Sequence, residues 1–573
     1  MTKKTMRRSA VMLAVTAALG GQAMAFEIDT ANDDVQVRWD NTVRYNVAQR
    51  AGERNANIGS TPNFDEGTYL FDKGDIVSNR LDLLSELDFV YQKKMGFRIS
   101  AAAWYDGAYG DTGKSNPAIN NPSYVNNEFS PMIKRYYQGP SGEFLDAFVF
   151  SNFDVAETPV KLKLGRHTVA WGESLFLGGA LHSVAYSQMP IDLQKGFATP
   201  GAEAKELFRP LTQFSGQAQV TDTLSVSGQY FLDWEPYRYP EGGTFLGPVD
   251  FAFNGPDRAV VVGHPVLGLI GASRGNAIEP KKTGEYGLSA RWSPEALDAT
   301  LGFYYRRYAD KLPQTLITKA RLAAGFPLVN GTEYNLIYAD KIDLYGVSLA
   351  KNIGGVSVGA ELSTRKNTPL ISKTLGFAVG SVAQGDTPGP RGDTYHALVN
   401  VLGTIPKTPL FDSAVWAAEW TWSSLDKVNS GQNNFFAVGS PGCSTLTNAP
   451  LGAYAGCATK SYQGVSMAFT PTWYQVMPGV DLSMPLTYAR GISGNAPVIF
   501  GGNQGLGNFS VGLSADVSQK YRIELKYSGY FGDYTTGAVT GCPAGASCVA
   551  AQNGFTSLLQ DRDFISLTFK TSF

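Results

Sequence analysis

The chain has 573 residues, with 48 Lys and Arg against 50 Asp and Glu, a formal charge of −2. This near-neutral balance gives no reason to expect a nucleic-acid partner. Mean hydropathy is −0.13, and no stretch beyond the N-terminus has the ~18 uninterrupted apolar residues of a membrane helix, which excludes a helical membrane protein but not one that crosses with strands.

Residues 1–25 read as a secretory signal peptide. Lys3, Lys4, Arg7 and Arg8 are its basic region, Ala10 to Leu19 its short apolar run, and Ala23-Met24-Ala25 its cleavage motif. The remaining length could hold three or four soluble domains. No linker or composition shift divides it, so 26–573 read as one domain.

From residue 35 onward the sequence alternates apolar and polar residues in segments of about 9–12, the period of a strand with two unlike faces. In 35–47, Val35, Val37, Trp39, Val43, Tyr45 and Val47 alternate with Gln36, Arg38, Asp40, Thr42 and Arg44. In 80–92, Leu81, Leu83, Leu87 and Phe89 alternate with Arg80, Asp82, Glu86 and Asp88. Weaker copies follow to the C-terminus, about eighteen in all, with a range of 16–20. Pro485 falls within one of them and marks a strand end or a bulge, because proline removes a ladder donor.

Short and long connections alternate. Lys93–Gly96, Asp222-Thr223, Ser293–Leu297, Ile353-Gly354 and Gln519-Lys520 are turns. Long stretches rich in Gly, Asn, Pro and Ser span roughly 50–79, 110–143, 172–210, 233–283, 309–338, 366–392, 425–461, 489–507 and 532–562. Short periplasmic turns on one rim and long extracellular loops on the other are the layout of a transmembrane antiparallel β-barrel in the outer membrane of a Gram-negative bacterium. Barrel physics accounts for the pattern. In hydrocarbon every backbone N–H and C=O must be paired, and a closed sheet leaves no edge.

Segment 160–210 is the most informative. Val160 to Leu164 form a strand, and a connection of about 38 residues follows, too long to be only a turn. It either folds inward near 172–210 and narrows or plugs the lumen, or lies outside as a solvated cap. Arg166, His167, Trp171, Glu173, Lys205, Glu206 and Arg209 are the candidate lumen or constriction residues. Cys443 and Cys457 lie in one long loop, Cys542 and Cys548 in another; both local pairs are candidate disulfides in an oxidising compartment. The four histidines are scattered, so no metal site is expected. No G-x-S-x-G, P-loop or H-E-x-x-H motif is present, so neither an enzyme nor a cofactor is expected. At the C-terminus Ile565, Leu567, Phe569 and Phe573 alternate with Ser566, Thr568, Lys570 and Ser572. A last strand ending in Phe573 resembles the signal read by the barrel-insertion machinery.

The block LGRHTVAWGESLFLGGALHSVAYSQMPIDLQKGFATPGAEAKELFRP resembles the hallmark region of the family of unknown function thirteen-oh-two, long proteobacterial outer-membrane proteins. NTVRYN, SNRLDLLSELDF, GFRISAAAWYDGAY, GEYGLSARW and LGFYYRRYADKLP are weaker supporting pieces. The resemblance implies an outer-membrane barrel associated with a periplasmic partner and an RND-type inner-membrane transporter. It also implies traffic of apolar compounds such as steroids, terpenoids or other lipids, and brings no agreed ligand residues.

Three functions compete. The first is a conduit for hydrophobic or amphipathic small molecules, with Phe245, Phe251, Phe253, Tyr334 and Tyr338 either as an apolar mouth or as loop packing. The second is a water-filled, substrate-specific porin for polar solutes, in which Arg38, Arg44, Arg80, Arg522 and Lys526 face Asp40, Asp82, Glu86 and Glu524 across the pore. The third is a surface-attachment or biogenesis barrel acting through its loops. A TonB-dependent receptor fits poorly, because strand signals begin near residue 35 and leave no room for an N-terminal plug domain.

Overall fold

The structure, a computed structural model, describes residues 26–119, 121–198, 204–264, 268–319, 331–378, 382–383, 387–444, 449–538 and 549–573. The signal-peptide reading and the Cys542/Cys548 pair lie outside the described residues.

Eighteen wall positions close an antiparallel barrel. In chain order they are β1 (Val35–Arg50), β2 (Ile76–Tyr91), β3 (Met95–Asp106), β4 (Ser141–Val155), β5 (Thr158–His167) and β6 (Leu211–Thr221). Next come β7 (Leu224–Phe231), β8 (Tyr286–Trp292), β9 (Thr300–Tyr308), β10 (Ile342–Ile353), β11 (Val356–Pro369) and β12 (Arg391–Ile405). The last are β13 (Ser413–Ser430), β14 (Ser461–Met477), β15 (Val480–Ser483 with Leu486–Ser493), β16 (Gly507–Val517), β17 (Tyr521–Phe531) and β18 (Phe564–Ser572). Each strand pairs with its sequence neighbours. The ring closes where β18 pairs with β1, from Thr42↔Ser572 to Arg50↔Phe564, so no edge strand remains. Pro485 is the break within β15. Its carbonyl still accepts the Gly512 N–H at 2.9 Å, so the strand resumes one residue later.

Period two sorts the wall as the alternation predicts. Leu288, Leu362 and Leu567 are 58, 54 and 51 % exposed on the outer face, while Ser289, Glu361 and Ser566 beside them are buried on the inner face. The outer band meets lipid at little cost because its backbone is saturated by the ladder. No helix among the described residues is long and apolar enough to cross a membrane.

Nine long loops, L1 to L9, leave one rim: 51–75, 107–140, 168–210, 232–285, 309–341, 370–390, 431–460, 494–506 and 532–563. The other rim carries only short turns and the strand Phe26–Ile28, which pairs with β1. L4, L5 and L6 build a second, five-stranded sheet in the order Gly376–Phe377, Gln314–Lys319, Glu333–Ile337, Gly268–Arg274, Arg258–His264. The largest buried apolar cluster joins inward wall residues (Tyr304, Tyr308, Ile342, Leu344) to loop residues of L3, L4 and L5 such as Val184, Ile191, Phe251 and Tyr334. Phe245, Phe251, Phe253, Tyr334 and Tyr338 are all buried, so they pack the loops rather than line an open mouth. Cys443 and Cys457 form a disulfide within L7.

Candidate functional site

L3 folds into the barrel, and its described residues are held to the inner wall at many points. It leaves β5 at His167, whose ring is buried and bonds through Nε2 to Ser215 Oγ at 2.7 Å and through Nδ1 to the Gly165 carbonyl at 3.0 Å. Trp171 lies over β8 and β9. Its ring centroid is 6.0 Å from that of Tyr304, and the Trp171 backbone N–H donates to Gln188 Oε1.

L3 next makes contact with β9 to β13. The irregular backbone there has buried peptide groups that no ladder satisfies, so the wall must supply partners. Carboxylates serve the N–H groups. Glu361 on β11 accepts from the Glu173 and Val184 N–H groups, the latter at 2.7 Å. Glu419 on β13 accepts from Leu175 and Phe176 at 2.8 and 3.2 Å. Cations and amides serve the carbonyls. Asn400 donates to Glu173 O at 2.6 Å. Arg365 donates to Leu181 and Ser183 at 2.9 and 3.2 Å, and Arg306 to Val184 and Tyr186 at 3.1 and 2.6 Å. Two glycines make this approach possible. A Cβ on Gly172 would lie 2.4 Å from Glu361 Oε1, and one on Gly179 would lie 1.9 Å from Glu419 Oε1.

His182 joins L3 to β12 and L8. Its Nε2 lies 2.8 Å from Gly501 O, its Nδ1 lies 3.0 Å from His396 Nδ1, and His396 Nε2 lies 2.9 Å from Thr394 Oγ1. One tautomer set satisfies all three contacts. His182 donates from Nε2 to the carbonyl, so its Nδ1 is an acceptor; His396 donates from Nδ1 to it and accepts from Thr394. Both rings are then neutral. Burial pushes the His182 pKa down to about 4, and the Arg365 guanidinium adds to the effect.

The returning half of L3 crosses to β1. Glu206 makes a bidentate pair with Arg44 at 2.9 and 3.0 Å and a second pair with Lys195 at 3.1 Å. Asp192 accepts from Arg238, which also grips Glu143 on β4. Arg209 and Arg166 share Glu235 of L4.

The seven candidate residues therefore divide. His167, Trp171, Glu173 and Glu206 lie inside the barrel. Glu173 adds contacts to Ser348 at 3.3 Å and Arg291 at 3.6 Å. Arg166 precedes the inward His167 and so lies on the other strand face; with Arg209 it forms an ion-pair cluster at the loop rim. The backbone of Lys205 lies in the short helix Ala204–Leu207, and its side chain is outside the described residues. The principal pins, Arg306, Glu361, Arg365, His396 and Glu419, are not among the candidates. Their signal is a charged or imidazole residue at mid-strand on the inward face.

Several other inward charges are locally matched. Arg38 pairs with Asp40, Arg80 with Asp82, Arg98 with Glu86, Arg522 with Asp516 and Lys526 with Glu524. The chain is thus a closed eighteen-strand β-barrel whose lumen holds its own loops.

No curated protein matches the chain. Similar solved structures include Pseudomonas aeruginosa OccK9 (OpdG), at 9 % identity and TM-score 0.39, over 94 % of this chain and 98 % of that one. Pseudomonas aeruginosa OpdK with vanillate is similar at 9 % identity and TM-score 0.40, with the same coverage. Acinetobacter baumannii OccAB3 is similar at 8 % identity and TM-score 0.40, over 94 % of this chain and 99 % of that one. The model of the family described as "Protein of unknown function (DUF1302)" matches residues 6–573, and the chain belongs to that family.

Proposed function

We propose that this barrel is a gated conduit in the outer membrane for hydrophobic or amphipathic small molecules, with L3 as its hatch. The observation that carries the reading is the occupied lumen. Inward side chains such as Arg44, Gln213, Gln229, Arg306, Leu344, Arg365 and His396 are almost fully buried beneath a loop core rich in aromatics. A water-filled pore keeps its wall wet, and a transverse field needs unlike charges on opposite walls. Here Arg80 and Asp82, Arg98 and Glu86, and Lys526 and Glu524 are neutralised side by side. A lumen packed with apolar side chains instead favours a solute that replaces such contacts when the hatch moves.

The family resemblance supports a periplasmic partner and an RND-type inner-membrane transporter as the source of energy and direction, since the sequence carries no nucleotide motif. The test is uptake by vesicles of outer-membrane lipid with lipopolysaccharide. N-phenyl-1-naphthylamine should enter faster through barrel-containing vesicles than empty ones, while arabinose-driven swelling stays at background. Fast arabinose swelling with no gain for the apolar dye would replace this reading with the porin.

A further inference from the structure

Arg306 on β9 and Arg365 on β11 stand in one row of the wall, since both pair with Leu344 of β10 across the ladder. Two strand spacings put their Cα atoms about 10 Å apart. The two side chains hold opposite ends of one turn of L3, Arg365 at the Leu181 and Ser183 carbonyls and Arg306 at those of Val184 and Tyr186. Arg306 is 1 % exposed and Arg365 0 %. Both guanidiniums lie over tyrosine rings, Arg306 at 4.8 Å from the Tyr308 centroid and Arg365 at 4.0 Å from that of Tyr186.

Each guanidinium uses one nitrogen of its three, Nη1 in Arg306 and Nη2 in Arg365. Arg306 Nε and Nη2, Arg365 Nε and Nη1, and the Tyr308 hydroxyl have no hydrogen-bond partner among the described residues. Nε and Nη2 share one edge of a guanidinium, and their protons point the same way, the arrangement that grips an anion with two parallel bonds. Arg522 uses this edge on Asp516, at 2.9 and 2.8 Å. On Arg306 the whole edge is unmatched.

A buried charge is costly unless it is paired and hydrogen-bonded. The buried carboxylates of this region are engaged elsewhere. Asp310 accepts from Tyr186 Oη at 2.8 Å, from Ser187 Oγ and from the Leu312 N–H. Glu285 holds Lys311 at 3.3 Å and accepts from the Ala309 N–H. Glu361 serves the Glu173 and Val184 N–H groups. The loop carbonyls supply only partial negative charge, so the Arg306 edge lacks a full counter-charge.

We propose that the Nε/Nη2 edge of Arg306, with Arg365 in the same row, is a site for a single chloride-sized anion that stabilises the closed turn of L3. A monatomic ion takes two parallel N–H bonds and needs little more room than a water molecule. The site is independent of the conduit reading, because binding is read with the hatch at rest.

Two measurements on the full-length barrel test it. In nanodiscs at constant ionic strength, chloride or bromide replaces gluconate while amide exchange of residues 181–186 is followed. Either halide should slow exchange at least tenfold and saturably. Arg306→Lys keeps the charge but not the two-proton edge, so its half-saturating chloride should rise at least tenfold. Lys526→Gln, which removes a lumen cation outside the site, should respond as the wild type does. In crystals exchanged into bromide, an anomalous peak should lie within hydrogen-bond reach of Arg306 Nε and Nη2. No such peak, a peak without a saturable effect in solution (binding at crystal concentration only), or an unchanged half-saturation in Arg306→Lys would overturn the site. Should that variant fail to fold, the wild-type peak and saturation decide.

Discussion

Glu419→Ala removes the acceptor for the Leu175 and Phe176 N–H groups, at 2.8 and 3.2 Å, and one partner of Asn400 at 3.3 Å. Each hydrogen bond to a charged group contributes about 1.5–3 kcal/mol, so the two loop N–H bonds represent about 3–6 kcal/mol gross. Glu419 is itself buried at 2 % exposure, near Glu361, and deleting its charge relieves a desolvation cost that offsets part of this. A net of about 2 kcal/mol then favours the released loop, about a 30-fold shift in the opening equilibrium. Amide hydrogen exchange in nanodiscs reads it directly. Protons of Leu175, Phe176 and Val184 should exchange about 30-fold faster, while those of β13 and β14 stay protected. Unchanged exchange in L3, or equal acceleration throughout the wall, would refute the inference that wall carboxylates hold the loop.

Arg44→Met should destabilise the closed barrel by about 3 kcal/mol by leaving Glu206 buried without its bidentate partner; the double variant with Glu206→Met should recover most of it in denaturant unfolding. The His182 pKa lies at about 4 in the closed loop, against 6.5 when released. Its contribution to closure is therefore complete above about pH 6.5 and is lost as pH falls toward 4, at most about 3 kcal/mol. Exchange of the L3 amides should accelerate more across that window in the wild type than in the double variant His182→Asn/His396→Asn. Opening the Cys443–Cys457 bridge, whose partners are 14 residues apart, should loosen L7 by about 3 kcal/mol, seen as faster proteolysis within 431–460 under reductant. Leu525→Arg on the lipid face should cost about 2–4 kcal/mol, whereas the inward Lys526→Arg should be near neutral in the same refolding titration.

The wall was legible because period two is imposed by lipid on one side and loops on the other. Val43, Tyr45 and Val47 alternating with Arg44 and Asn46 reveal β1 without any long-range knowledge, and the alternation of turn and loop lengths reveals closure. The loop sheet made by Arg258–His264, Gly268–Arg274 and their partners was not legible. Its strands are only two to seven residues long, too short to display a period of their own. The pins of L3 were missed for a different reason. Glu361 and Glu419 look like any lumen carboxylates until the backbone they bind is known, and Gly172 and Gly179 reveal their purpose only beside those oxygens. Arg166 shows the reverse case. It stands among the lumen candidates, yet adjacent strand residues point to opposite faces, and its guanidinium pairs with Glu235 of L4.

The central claim is that L3 must move for a solute to pass. A Cβ on Gly178 would lie 3.4 Å from Ser466 Oγ on β14, close enough for a disulfide between Gly178→Cys and Ser466→Cys to pin the loop to the wall. In lipopolysaccharide-containing vesicles, the oxidised double variant should take up N-phenyl-1-naphthylamine at the rate of empty vesicles, and reductant should restore the wild-type rate. Equal uptake in the oxidised and reduced states would contradict the account, because the solute would then pass a hatch that cannot open.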